Sequence, residues 1–359
     1  MTSIATTMRE KSVLVVRLGD IGDIVISSPV ASLLKHHKQN VKLTWVIESE
    51  YAPLLMGHPD IDRLIPWDKQ RWINLFTSGK WLTLLGEIRR MRKRLRQQNY
   101  DIALDLQGLL KSSFFTWLSG ARIRIGLGSK EGSYWLVTKT ISRNIGEQTQ
   151  IGSEYRYLLS QLGFPDSPWQ MYIAPPQRST VSISKALNFD YGNERYVVFA
   201  PFTTRREKRW PIKNWQQIAL RIRGRYHLKT VIIGGQDYAD IANDIAGATG
   251  AINLVGKTRL DEAVDIIRHA SLLVGVATGF THMGHAFRIP TIALFGPSCP
   301  YSFAGIETST IIYHQRFCSP CRRNPTCNNR YDCMVEIKPD EVLSELKPLM
   351  KIAAEHTKH

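Results

Sequence analysis

The chain has 359 residues, 43% of them hydrophobic, with 47 Lys and Arg against 31 Asp and Glu. That length accommodates two domains with separate cores, and the formal charge of +16 points to an anionic partner: nucleic acid, a phosphorylated glycolipid or an acidic membrane face. No apolar run approaches the ~20 residues of a membrane span, and Met1 to Lys11 is polar where a signal peptide is apolar, so a protein that is cytoplasmic, or peripheral on the cytosolic side, is expected.

Val13 to Val16 reads as a buried parallel strand. The chain then turns through Arg17-Leu18-Gly19-Asp20-Ile21-Gly22-Asp23 into an apolar helix pattern. Gly19 and Gly22 permit close approaches that a Cβ would block. A turn at the carboxyl end of a strand is where open α/β sheets place ligands, although G-x-x-G is not the dinucleotide spacing. Asp23 reads either as a first-turn acid stabilised by the helix dipole or as a general base.

Apolar runs at Val41 to Ile47 and Arg63 to Pro66, with a short helix near Tyr51 between them, suggest βαβ units and a parallel sheet. Trp81 to Gln98 forms a helix whose apolar face is Trp81, Leu84, Leu85, Ile88, Met91 and Leu95. Arg89, Arg90, Arg92, Lys93, Arg94 and Arg96 crowd its second half, as a solvated face or as a basic surface for anionic lipid headgroups. Asp101 to Leu106 is a strand, and Gln107-Gly108-Leu109-Leu110-Lys111-Ser112 repeats the opening strand–turn–helix grammar. A strand at Arg122 to Leu127, a basic aromatic loop at Ser129 to Thr140 and a helix at Tyr155 to Phe164 complete a first domain, 11–175.

Asp166 to Gly192 turns to Pro, Ser and Asn and reads as a link. Strands then recur at Tyr196 to Ala200, Thr230 to Ile233, Ile252 to Val255, Ser271 to Val276 and Thr291 to Phe295. Helices at Pro211 to Arg225, through Ile245, at Leu260 to His269 and from Thr278 to Ala286 alternate with them, giving a second domain, 193–338, and a closing helical segment, 339–359. Between a strand end and a helix start, Thr203-Thr204-Arg205-Arg206-Glu207-Lys208-Arg209-Trp210-Pro211 combines hydroxyls, cations and helix N–H groups into a phosphate cradle. Thr278-Gly279 makes a second, opening a helix that carries His282, which is either a donor in the site or a core histidine. Cys318-x2-Cys321-x5-Cys327-x5-Cys333 suits a tetrahedral zinc or iron site, or reduced thiols in a compact loop; Cys299 stands apart as a small packed residue.

Five of these segments, in this order, resemble the ADP-heptose:lipopolysaccharide heptosyltransferases, glycosyltransferase family 9: RLGDIGD with Pro29, YDIALDLQGLLKSS from Tyr100 to Ser113, TTRREKRWP, VGVATGFTH, and LFGPSCP from Leu294 to Pro300. The resemblance implies an α/β fold of the GT-B class, two Rossmann-like domains with parallel sheets facing across a cleft. The implied reaction inverts the anomeric centre while moving heptose from ADP-heptose to a hydroxyl of the phosphorylated lipopolysaccharide inner core, at the inner-membrane surface and with no cofactor in the chemistry. Asp23 then matches the catalytic base, and Lys208 and Thr204 match residues that hold the diphosphate and stabilise the departing ADP. Thr203, Thr278, Gly279 and His282 fall to the donor, with Asp240, or its rival Asp237, on the ribose. Arg17, Gly22, Gln107, Lys111 and Arg122 fall to the acceptor.

One position departs from the family pattern Asp-Ser/Thr-Gly-x-x-His: its first place is Ala277, which implies weaker donor binding, a changed sugar or low activity. Cysteine-rich segments recur in the family, and a related autotransporter-modifying group uses cysteines to hold iron. The competing expectations are another GT-B nucleotide-sugar enzyme (an epimerase or a protein heptosyltransferase), a weakly active sugar-nucleotide-binding relative, and a nucleic-acid-binding protein. Against the last, the arginines gather on one helix and no nucleic-acid module motif is present. Thermal stabilisation by ADP alone supports the heptosyltransferase expectation, whereas stabilisation by UDP or an oligonucleotide redirects it.

Overall fold

A computed structural model of the chain describes residues 12–37, 40–143, 150–175, 194–321 and 324–356. Most of the proposed interdomain link lies outside the described residues. The chain forms two compact units, the first comprising Met1–Gln148 and Gly152–Ala174, the second Thr149–Ile151 and Pro175–His359.

In chain order the first unit contains β1 (Ser12–Val16), α1 (Ile21–Ser27), α2 (Pro29–His36), β2 (Lys42–Glu48), β3 (Arg63–Trp67), α3 (Lys69–Thr77), α4 (Trp81–Arg96), β4 (Ile102–Asp105), α5 (Leu110–Leu118), β5 (Ile123–Leu127), β6 (Lys139–Ile141) and α6 (Ser153–Gln161). Its six strands run parallel in the order β3-β2-β1-β4-β5-β6. Val13 to Val16, Leu43 to Ile47 and Ile102 to Leu104 are buried, as a sheet covered by helices on both faces requires. The expected loop at Ser129 to Thr140 instead holds a 3-10 turn, Ser133–Leu136, and the start of β6.

The second unit contains β7 (Tyr196–Ala200), α7 (Ile212–Tyr226), β8 (Lys229–Ile232), α8 (Ala239–Thr249), β9 (Ile252–Asn253), α9 (Leu260–Arg268), β10 (Leu272–Val276), α10 (Gly279–Ala286), β11 (Thr291–Phe295), β12 (Ser309–Tyr313), α11 (Asp332–Val335) and α12 (Pro339–His356). Its parallel order is β12-β11-β10-β7-β8-β9. Counted within each unit, both sheets have the strand order 3-2-1-4-5-6 of the doubly wound Rossmann fold. Val342, Leu346 and Leu349 of α12 pack into the same core as Phe199, Val274 and Leu294, so the closing helix belongs to this unit. No described helix is long and apolar enough to cross a membrane.

This topology decides where chemistry sits. In each sheet the strand order reverses beside the first strand, between β1 and β4 and between β7 and β10. The loops leaving the carboxyl ends of those four strands flank the crevice in which such sheets take ligands.

Candidate functional site

In the first unit, the loop after β1 delivers Asp23 to the first turn of α1 without using it as a cap; the N-cap, Asp20, makes no side-chain capping bond either. Asp23 instead pairs with Arg17, its side chain 50% exposed against 4% for Arg17. Arg17 also donates from Nη1 to the Leu106 carbonyl at 3.2 Å, at the end of β4. Burial opposes the charge on Arg17, but Asp23 foremost, then Tyr155 and Glu154, more than offset it and raise its pKa. Expected at the acceptor, Arg17 is instead enclosed by the protein and fixes the carboxylate. Gly22 is the second residue of α1, next to Asp23.

The loop after β4 is organised by Asp105, a buried carboxylate that the sequence reading passed over. It accepts from the backbone N–H groups of Gln107 and Gly108, both at 2.9 Å, and from the Ser112 and Ser113 hydroxyls. Burial pushes its pKa up while these four donors pull against the shift. Gly108 sits at φ +65°, and a Cβ there would fall 2.0 Å from the Leu127 carbonyl oxygen, so only glycine fits. Gln107, also expected at the acceptor, accepts from the Leu18 N–H through Oε1 at 3.2 Å, tying the two loops together. Its carbonyl accepts from Arg143, which pairs with Glu154.

Lys111 does stand at this end of the sheet, but not free: its Nζ lies 2.9 Å from Glu48, the last residue of β2, which Lys69 also approaches at 3.3 Å. Glu48 is buried while both ammoniums stay partly exposed, a carboxylate aiming two cations into the loop region. Arg122 is a correction. It precedes β5, whose first residue pairs with Ile102 at the start of β4, so it is exposed at the amino end of the parallel sheet, opposite Asp23. Strand polarity rules it out of this site.

In the second unit, the loop after β7 is knitted by its own charges. Arg205 pairs with Glu207 at 2.7 Å from Nε, and Arg209 donates to the Thr203 carbonyl at 3.1 Å. The Arg209 guanidinium lies 5.1 Å from the Tyr238 ring, which stacks on Phe202. Thr204 is exposed and Lys208 half-buried, in the one-turn helix Arg206–Lys208.

The partner loop leaves β10 sharply: Thr278 N–H and the Thr281 hydroxyl both donate to the Val276 carbonyl, at 2.7 and 2.6 Å. α10 therefore begins at Gly279, and its N-cap, Thr278, makes no side-chain capping bond. His282 is buried with Nδ1 2.6 Å from the Tyr301 hydroxyl, and burial, then Lys208, pushes its pKa down to about 3. The residue is thus a neutral core histidine that also feels the Lys208 charge. Tyr301, its partner, stands one residue past LFGPSCP, and nothing in the local pattern pairs it with a histidine 19 residues earlier. Asp240 and Asp237 are both exposed beyond β8, in the first turn of α8 and in the turn before it.

Residues 88–332 match the family model described as glycosyltransferase family 9 (heptosyltransferase). The chain belongs to glycosyltransferase family 9. It is therefore a glycosyltransferase. It is 25% identical to lipopolysaccharide heptosyltransferase 1 of Pseudomonas aeruginosa, over 94% of this chain and 98% of that protein. Among solved structures, it resembles a family 9 glycosyltransferase from Veillonella parvula with a TM-score of 0.81 and 21% identity, covering 96% of this chain and 98% of that one. The Escherichia coli heptosyltransferase WaaC, solved with ADP-2-deoxy-2-fluoro heptose, aligns at a TM-score of 0.68 and 20% identity, over 94% and 99% of the two chains. These likenesses give the fold as that of the GT-B heptosyltransferases.

Two further features of the second unit bear on the site. Ala277 follows β10 at the place where the resemblance expects a carboxylate, so the turn into α10 carries no acid from Ala277 to Gly279. Cys318, Cys321, Cys327 and Cys333 line one hollow with Glu207 and Asp332, yet all are free thiols. Burial, then the neighbouring cysteines, pushes Cys333 up to about 11. Among the described residues, no three or more His, Cys, Asp or Glu side chains are arranged to hold a metal ion. The expectation of a four-cysteine metal site is therefore not supported.

Proposed function

We propose that this enzyme is an inverting heptosyltransferase that takes heptose from ADP-heptose and places it on a hydroxyl of the phosphorylated lipopolysaccharide inner core, at the cytosolic face of the inner membrane. The first unit binds the acceptor and the second the donor. One observation carries this reading. In a family 9 chain, the two loops bearing Arg17–Asp23 and Gln107–Lys111 leave the switch point of one sheet, and those bearing Thr203–Lys208 and Thr278–His282 leave the switch point of the other.

Asp23 accepts the proton of the acceptor hydroxyl as that oxygen attacks the anomeric carbon. The bond from that carbon to the diphosphate breaks, and its electron pair leaves with ADP. Lys208, the hydroxyls of Thr203 and Thr204, and the N–H groups that open α10 at Gly279 stabilise the charge growing on the leaving group. Asp240 holds the ribose hydroxyls, while His282, kept neutral, packs beneath the donor turn. Lys111, aimed by Glu48, meets a phosphate of the acceptor. Arg17 and Gln107 position the base and its loop rather than touching substrate.

The test is incubation with ADP-heptose and a truncated core acceptor, read by mass spectrometry. A gain of one heptose on the acceptor is expected; no gain with ADP-heptose, but a gain or epimerised product with a UDP-sugar, overturns the reading. Ala277 favours a second reading, a transferase of low intrinsic activity, which the same assay reports as slow turnover at saturating donor.

A further inference from the structure

We propose that the α3–α4 hairpin is a membrane-docking surface, whose apolar tip enters the headgroup layer of an anionic phospholipid bilayer while its arginines lie along the lipid phosphates. The inference rests on the glycolipid acceptor for its setting, but the binding itself needs no catalysis.

The sequence pattern alone predicts that the apolar face of α4 is Trp81, Leu84, Leu85, Ile88, Met91 and Leu95. The structure divides it. Met91 and Leu95 are buried in the core with Ile88 packed against them, whereas Trp81 is 51% and Leu82 86% exposed. On α3, Phe76 is 57% exposed and meets Trp81 edge to face at 4.6 Å; Ile73 and Leu85 add to the uncovered apolar area. A cluster of this size at one end of a two-helix projection is a contact surface, not scattered surface apolarity.

Charge identifies its partner. Leu82, Leu85, Arg89, Arg92 and Lys93 are exposed at spacings of three, four, three and one, which place them along one stripe of the helix. The stripe is apolar at its N-terminal end and cationic beyond. Residues 69–96 hold nine Lys and Arg and a single acid, Glu87, half of the chain's formal excess of +16. Glu87 is engaged by Arg71 and Arg90, leaving the stripe cations facing outward. Aromatic and aliphatic side chains beside a run of Lys and Arg on one helix are what an anionic lipid interface binds.

The experiment is co-sedimentation of the full chain with phosphatidylcholine vesicles, with and without phosphatidylglycerol, at low and high salt. Binding to the anionic vesicles that weakens with salt, and little to the neutral ones, is expected. Leu82→Glu and Trp81→Glu should each lower the partition coefficient about tenfold, as loss of one partly buried large apolar side chain predicts. The paired change Arg89→Gln/Arg92→Gln should lower it only on anionic vesicles. All of these residues are exposed, so far-ultraviolet dichroism and the unfolding midpoint should match wild type. Equal sedimentation of wild type and the Leu82→Glu variant overturns the proposal, as does a wild-type dimer in sedimentation velocity that Leu82→Glu dissolves. Transfer to a water-soluble, delipidated core acceptor should be unchanged in these variants. Wild-type vesicle binding without transfer would therefore unseat the functional reading alone, and transfer without vesicle binding the docking surface alone.

Discussion

The pairing of Arg17 with Asp23 gives the sharpest test of the site. Arg17→Met fills the same buried volume and removes the guanidinium from the Leu106 carbonyl and from Asp23. Losing bonds from a charged donor costs about 1.5–3 kcal/mol each. Relief of a buried cation, whose Nε has no partner, offsets part of that. Asp23 is half-exposed and rehydrates, so the net destabilisation should be only about 1–2 kcal/mol, visible as a small shift in a urea midpoint. Catalysis should suffer far more. Without the guanidinium, itself pinned to the Leu106 carbonyl, the carboxylate leaves its attack geometry, and a misplacement of about 1 Å costs on the order of 10²-fold, so kcat should fall by that factor with the acceptor KM nearly constant. Arg17→Lys keeps the charge but not the fork, and should recover about tenfold of the loss. The assay is steady-state transfer with the acceptor varied at saturating ADP-heptose. An unchanged kcat with a tenfold rise in acceptor KM would refute the argument and return Arg17 to the acceptor-binding role expected from sequence.

Asp23→Asn and Lys208→Gln should each lower kcat by about 10²–10³-fold with unfolding midpoints near wild type; single-turnover transfer at the wild-type rate in either variant removes that residue from the chemistry. Ala277→Asp restores the family's acid and should raise kcat/KM for ADP-heptose about tenfold, the worth of one charge-assisted hydrogen bond, with unchanged or slower turnover counting against a donor contact at this position. Acid should destabilise the second unit through His282 and His285, both held down at about 3 by burial. Above pH 6.5 both states bind no proton at these groups. Below it the unfolded chain protonates first, so stability falls as pH drops toward the folded pKa, by roughly 2 kcal/mol per histidine between pH 7 and 5. Urea midpoints that coincide at pH 7 and 5 would show that neither ring is buried and neutral.

The strands were legible because helices cover both faces of each sheet, so Val13 to Val16 and Tyr196 to Ala200 read as unbroken apolar runs. Asp23 and the Thr278-Gly279 turn were legible because they follow such runs. What periodicity could not resolve was which end of a strand a polar residue occupies and who takes its hydrogen bonds. Arg17 and Arg122 both abut apolar runs, yet one follows β1 and is buried against Asp23 while the other precedes β5 and faces water. Asp105 carried a readable signal in Asp-Leu-Gln-Gly, a carboxylate two and three residues before turn N–H groups. Glu48 had none, because its partners lie 21 and 63 residues away. α3 escaped notice because none of its residues is fully buried and only Trp72 reaches the core.

The two switch points share a strand order but not an electrostatic plan. Around the first, three carboxylates near the loops have a built-in cationic counterpart: Asp23 with Arg17, Glu48 with Lys69 and Lys111, Glu154 with Arg143, while Asp105 is held by N–H and hydroxyl donors. Such paired charges set direction rather than net field, which suits a site that must aim one acid at one hydroxyl. Around the second, residues 203–211 hold four Lys and Arg against one acid, Glu207, His282 is neutral, and position 277 supplies no acid, so this loop and the start of α10 make a net positive seat. That seat attracts a diphosphate whatever sugar it bears, because the attraction is to the phosphates. Choice among sugars then falls to contacts with the sugar's own hydroxyls, where an acid at position 277 would act. The substitution should therefore weaken discrimination between sugars more than affinity for ADP itself, and the ratio of kcat/KM values for two ADP-sugars, compared with Ala277→Asp, measures that difference directly.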